Sequence, residues 1–219
     1  NANLLKTLSE KAPGTFLHYL QVANLAEAVA NEIGANALLV RVGSLYHDIG
    51  KLNSPHFFSE NQSGSVSPHE ELSPKESAQI IINHVKDGIL LGQKNNLPDR
   101  IIDFIRTHHG TSLVYYFYKN QLEIDPQTAS SEYKYPGPLP FSKETAILMM
   151  ADAVEAASKS LKSPNVNELE DFIHSIIDRK IKALQFNNSN ITLSEIETAK
   201  KVLFKKLINV YQLRVEYPK

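Results

Sequence analysis

A histidine and an aspartate stand side by side in Tyr46-His47-Asp48-Ile49-Gly50-Lys51, and each can do what the other cannot. A carboxylate has two oxygens and can bridge two cations, whereas an imidazole serves only one. The chain supplies matching donors elsewhere: His18, His84, the adjacent pair His108-His109, and Asp152 inside an apolar run. Five imidazoles crowded together without metal would lose solvation and repel one another when protonated, whereas divalent cations select their neutral forms. Seven nitrogen and oxygen donors exceed the three or four of a single zinc site, so the count points to two divalent metal ions. Imidazole with carboxylate and no thiolate suits iron or manganese in near-octahedral geometry, with zinc or nickel accepted in a preparation.

The elements that must position these groups read as helices, and the fold class is all-α. A short amphipathic lead-in, residues 1–12, ends at Pro13-Gly14-Thr15, where Thr15 suits an N-cap. Phe16 to Ile33 repeats apolar residues at helical spacing, with Leu17 among them, and stops at Gly34. His18 lies in its first turn, a place that also suits a surface or capping histidine. Ala37 to Leu45 predicts a helix with the His-Asp pair at its far end, Gly50 as a left-handed stop, and Lys51 brought round beside the pair. Ser73-Pro74-Lys75-Glu76 is a capping box opening a helix to about Asn95, with Ile80, Ile81, Val85, Ile89 and Leu90 inward. His84 sits on that apolar face, where a satisfied core histidine is the competing reading.

Leu97-Pro98-Asp99 starts a helix that reaches Thr107-His108-His109-Gly110, and Thr111 to Gln121 predicts another, rich in tyrosine. Ser142 opens the most apolar helix, in which Asp152 is costly to bury unless it is paired with a base or bound to metal. Val166–Ala183 and Leu193–Leu213 read as packing helices. The candidate donors thus fall on five predicted helices, as in a site built inside a helical bundle. Two long loops, Leu52–Ser73 and Leu122–Ser142, interrupt the pattern. In the first, Phe57 and Phe58 suit docking on the core, while Asn61 and Gln62 are candidates to face a ligand. The rings of Tyr115 and Tyr118 suit core or lid packing, or stacking on a base.

At 219 residues the chain is long enough for one sizeable core. A formal net charge of -1 argues against binding polymeric nucleic acid by general electrostatics. With no cysteine there is neither a disulfide nor a thiolate metal site. No apolar run approaches the ~18–20 residues of a membrane span, and the chain reads as a soluble piece excised from something longer.

The His-Asp pair with its satellite histidines resembles the HD-domain metallophosphohydrolases. More narrowly, Leu8-Ser9-Glu10-Lys11-Ala12-Pro13-Gly14-Thr15-Phe16-Leu17-His18, the His-Asp segment, Glu71-Leu72-Ser73-Pro74, His108-His109-Gly110-Thr111 and Tyr135-Pro136-Gly137-Pro138 resemble the PgpH-type HD domain. That resemblance implies an HD-domain bundle with a dinuclear site, in which residues 13–161 hold the metal and residues 162–219 pack on it. His18, His47, Asp48 and Asp152 would hold one ion, and Asp48, His84, His108 and His109 the other. It implies hydrolysis of cyclic di-AMP to linear 5′-pApA, and a place as the cytoplasmic part of a bacterial seven-transmembrane receptor. Asp48 and Lys51 are the catalytic candidates, Lys51 either stabilising the phosphate or the leaving oxygen or lying solvated at a helix end. Asn61, Gln62, Thr111, Tyr115 and Tyr118 are the candidate substrate contacts. A dimer is compatible with the sequence. The rivals are an HD phosphohydrolase of another nucleotide (a dNTP, guanosine tetraphosphate or cyclic di-GMP) and a module that binds a cyclic dinucleotide without turnover.

Overall fold

The structure, a computed structural model, describes residues 2–62 and 66–211; Gly64 of the first long loop and the expected helix end at Leu213 lie outside them. Nine α-helices form among the described residues: α1 (Ala2–Lys11), α2 (Pro13–Glu32), α3 (Ala37–Ser44), α4 (Pro74–Lys94), α5 (Asp99–Thr107), α6 (Tyr115–Ile124), α7 (Lys143–Ser158), α8 (Val166–Lys182) and α9 (Leu193–Tyr211). The all-α expectation holds: the described residues form no β-strand, only an isolated bridge between Leu113 and Lys134. None of these helices is long and apolar enough to cross a membrane.

Helix α7 is the axis of the bundle. Every residue from Thr145 to Asp152 is buried, as expected of a helix apolar on all sides. Ser142 starts it, its hydroxyl accepting from the Thr145 amide. Around α7 the main core gathers Val22, Leu25 and Val29 of α2, Phe104 of α5, Leu169 and Ile173 of α8, and Ala199 and Leu203 of α9. A second cluster joins Leu4 and Leu8 of α1 to Tyr19, Ile49, Ile101 and Ile105. The capping box of α4 forms as read, Ser73 and Glu76 exchanging side-chain-to-backbone hydrogen bonds.

Four local readings are corrected. Helix α2 begins at Pro13, whose missing N–H costs nothing at the first helical position. Thr15 therefore lies inside the first turn, where its amide donates to Asn61 Oδ1 rather than capping. Leu17 and Leu90, expected inward, point outward at 58% and 54% exposure; they fall just outside the buried stripes centred on His18 with Val22, and on Ala78 with Val85. The His-Asp pair lies beyond α3 in a turn that leads into the 3-10 segment Ile49–Asn53. Gly50 sits within that segment, not at a left-handed stop. It is glycine for lack of room: a Cβ there would stand 1.9 Å from the His84 carbonyl oxygen and 2.5 Å from the Gly88 nitrogen.

This close approach seats the His-Asp turn directly on α4, the helix that carries His84. Gly50→Ala must push backbone away from backbone, so a loss of about 2–3 kcal/mol or more is expected, lowering the melting temperature by roughly 5–10 °C. Gly34→Ala, with φ +69° but nothing within 4 Å of the added carbon, should cost only about 1 kcal/mol. Thermal melts that rank the two variants in the opposite order would refute this account of Gly50.

Candidate metal centre

The structure brings together all seven donors read from the sequence. They form two groups that share one residue: His18, His47, Asp48 and Asp152, and Asp48, His84, His108 and His109, the ligand atoms of each group lying within 4.8 Å of one another. Asp48 stands at the junction. Its Oδ1 faces His84 Nε2 at 2.9 Å and His108 Nε2 at 3.1 Å. Its Oδ2 faces His47 Nε2 at 3.4 Å and His18 Nε2 at 3.8 Å. Asp152 Oδ1 closes the first group at 3.1 Å from His18 Nε2 and 3.5 Å from His47 Nε2.

Backbone geometry fixes which nitrogen of each ring faces the centre. Nδ1 of His47, His84 and His108 lies 2.7, 2.5 and 2.8 Å from the carbonyl oxygens of Ser44, Ile81 and Ile105, each three residues earlier. A carbonyl only accepts, so Nδ1 carries the proton and, in the neutral ring, Nε2 turns a lone pair inward. His84 Nε2 and His108 Nε2 then face each other at 3.2 Å, and buried His47 Nε2 has no hydrogen-bond partner. Lone pairs aimed at one another and at carboxylate oxygens repel unless a cation lies between them. Two bonds of about 2.1 Å at a right angle place their donor atoms roughly 3 Å apart, close to these separations. The residues fit a pair of divalent cations.

The charge balance points the same way. Burial opposes the charge on Asp48, but Lys51 and the imidazoles of His47 and His84 outweigh it and hold the carboxyl well below its usual range. Burial likewise opposes the charge on Asp152, and the imidazoles of His18 and His47 beside it overcome that penalty. Burial pushes His108 down against the pull of Asp48, and pushes His109 down further, with His108 and His84 adding to the effect.

Four residues to which sequence reasoning assigned no role at the site complete the setting. Glu155, one turn beyond Asp152, meets His18 Nδ1 at 2.5 Å. Tyr135 stacks on His109 with ring centres 4.1 Å apart. Gln185, after α8, accepts from the Thr111 amide and donates to its hydroxyl, pinning the chain just past His109. Glu60 grips Lys51 Nζ at 2.7 Å. The capping-box and helix-period signals that located the other groups do not reach these four; only the spacing of Glu155 from Asp152 was legible.

A cleft of about 310 Å³ opens over the centre, lined by His18, Asp48, His109 and Asp152 and walled by Lys51, Ser59, Glu60, Ala156 and Lys159. Lys51 is not the solvated helix-end lysine of one reading: it bridges Asp48 Oδ2 and Glu60 Oε1, both at 2.7 Å. The five expected substrate contacts do not line this cleft. Asn61 binds Thr15 and the Pro55 carbonyl, because the loop folds into 3-10 turns and fastens onto α2. Gln62 donates to the His56 carbonyl, Thr111 is held by Gln185, Tyr118 donates to the Thr128 carbonyl, and Tyr115 is 67% exposed.

The HD-domain family pattern matches residues 15–157. The chain is 44% identical over its whole length to the cyclic-di-AMP phosphodiesterase PgpH of Listeria monocytogenes, and 42% identical to PgpH of Bacillus subtilis. It spans only 30% and 31% of those proteins' lengths. It superposes with a TM-score of 0.94 on the crystal structure of the L. monocytogenes PgpH HD domain in complex with cyclic-di-AMP, at 44% identity, covering 96% of this chain and 99% of that one.

In the metal-free chain burial opposes the charge on His47, yet Asp48 and Asp152 prevail and raise its pKa to about 10; His18 is also raised, Asp152 and Glu155 overcoming burial. Such a raised imidazole stabilises the metal-free fold fully below its unfolded value of about 6.5, and that contribution fades as pH climbs through about 10. Metal requires the neutral ring. Mn²⁺ binding at pH 7 should therefore release protons and tighten as pH rises. Calorimetric titrations in two buffers of different ionisation enthalpy check this, and heats independent of the buffer would contradict it.

Proposed function

The chain belongs to the HD-domain family, and on that footing we propose that it is a cyclic di-AMP phosphodiesterase that yields linear 5′-pApA. The observation that carries this reading is the pair of four-donor groups sharing Asp48, in a chain that matches a cyclic-di-AMP-bound HD domain from end to end. His18, His47, Asp48 and Asp152 would hold one divalent cation and Asp48, His84, His108 and His109 the other, iron or manganese by the chemistry of the donors. Bound there, the pair would neutralise phosphate oxygens and activate a water for in-line attack.

The protein's own groups do the rest. Asp48 directs one oxygen to each donor group, so the two positions are set by one rigid carboxylate. Lys51 is kept cationic, because Asp48 and Glu60 outweigh its burial and lift its pKa above the ordinary lysine range. It stands as a positive charge beside the cleft, held between two carboxylates. Water attacks one phosphorus, the bond to the ribose 3′ oxygen breaks, and that oxygen leaves with a proton while the phosphate stays on the 5′ carbon. A second cut would be needed to reach AMP. The share of the relatives' length that the chain spans supports a place within a longer protein.

The deciding experiment incubates the Mn²⁺-loaded chain separately with cyclic di-AMP, cyclic di-GMP, a deoxynucleoside triphosphate and guanosine tetraphosphate and identifies the products by chromatography. Conversion of cyclic di-AMP to pApA is expected. Binding without turnover would mean a regulatory module, and turnover of a nucleoside triphosphate or guanosine tetraphosphate alone would move the protein to another branch of the family. Asp48→Ala should cut the rate by at least about a thousand-fold, the worth of several kcal/mol. His174→Ala, on α8 outside the cluster, should leave it within a factor of about two, a surface change being within ~0.5 kcal/mol; equal losses in the two folded variants would show the ligands to be misassigned.

A further inference from the structure

We propose that Glu155 is a positioning residue that makes the His18, His47, Asp48 and Asp152 group the tighter of the two metal sites, so that the pair fills in order. The inference rests on the dinuclear reading above. His47, His84 and His108 are each anchored at Nδ1 by a neutral backbone carbonyl. His18 is anchored differently, its Nδ1 lying 2.5 Å from Glu155 Oε2.

The placement follows from the helix. Asp152 and Glu155 are three residues apart on α7 and so lie on one face. One rigid, buried helix thus presents one carboxylate to the front of His18, at 3.1 Å from Nε2, and a second to its back. Glu155 is 3% exposed, so water screens its charge little. Its other partner, Lys159 Nζ at 3.0 Å, shares the same oxygen with the ring.

A charged acceptor behind an imidazole forms a stronger hydrogen bond than a neutral carbonyl, and it raises the basicity of the nitrogen that faces the metal. Losing such a partner costs about 10–100-fold in metal affinity. The donor sets add to the asymmetry: the His18 group has two carboxylates, the other only Asp48 among three imidazoles. Oxygen-rich donors suit manganese, imidazole-rich ones iron, nickel or zinc.

The test titrates Mn²⁺ into the chelator-treated 219-residue chain by calorimetry, for wild type, Glu155→Gln and Glu155→Asp, with folding checked by circular dichroism. Wild type should show two unequal steps. The Gln variant should weaken the tighter step by about 10–100-fold and leave the weaker one unchanged, and the Asp variant, which keeps the charge, should recover part of the loss. Unchanged steps, equal weakening of both, or an Asp variant no better than Gln would overturn the proposal. A wild-type chain that takes up no Mn²⁺ would instead overturn the dinuclear reading itself. If Glu155→Gln does not fold, Lys159→Met decides: it removes the competitor for the Glu155 oxygen, so the tighter step should tighten further, and an unchanged or weakened step would refute the role given to Glu155.

Discussion

One carboxylate sets the terms for this protein. Asp48 is buried and remains ionised because two sets of imidazoles and Lys51 surround it. A buried anion costs several kcal/mol unless it is paired, and Asp48 is paired on both of its oxygens. The fold must therefore deliver α2, α4, α5 and α7 to one point, since each carries a group that faces Asp48 or closes the cluster around it. The glycine contact that seats the 48–50 turn against α4 and the buried axis of α7 are consequences of that demand.

The arrangement also explains why the last two helices matter to a site they never enter. α8 and α9 pack on α7 and α2 in the main core, and the turn after α8 supplies Gln185, which holds Thr111. Thr111 follows the His108-His109 pair by two residues, so the turn after a helix read from sequence as packing also fixes the backbone beside a candidate ligand. Lys180 adds a second tether, its ammonium donating to Ser112 at 2.7 Å. Stability and site geometry are thus carried by the same contacts.

The sequence revealed the parts governed by local rules and hid those governed by tertiary approach. The capping box at Ser73, the helix start at Ser142, helical periodicity and the run of apolar residues around Asp152 located the helices and the seven donors, because each signal spans fewer than about two turns. Gly50 was misread because a glycine just past a helix suggests a left-handed stop, whereas its reason lies in His84, far away in sequence. Asn61 and Gln62 were read as candidates to face a ligand, and a polar loop without periodicity gives no clue that it will fold into 3-10 turns and spend its amides on Thr15 and His56. Glu155 was within reach, three residues from Asp152, yet a glutamate on a helix is ordinary until the partner behind it is known.

The fate of Lys51 bears on how the cleft receives an anion. Its ammonium is held between two carboxylates, and its charge is further occupied by the face of Phe58, 4.9 Å from the ring centre. Glu60, the same residue that grips it, also accepts from the Thr15 hydroxyl, so lysine, loop and helix α2 form one linked unit. Moving Lys51 toward a phosphate would break the pair with Asp48 at the moment when that carboxylate is needed in place. On the proposed function, the positive field for a doubly charged ligand would come chiefly from cations at the two donor groups, with Lys159, 45% exposed at its side chain, as a further charge at the rim. A chain with no basic surplus would recognise an anion in this way: the attraction would be confined to one point, and the carboxylates that would gather the cations would also keep that point from acting as a general anion trap.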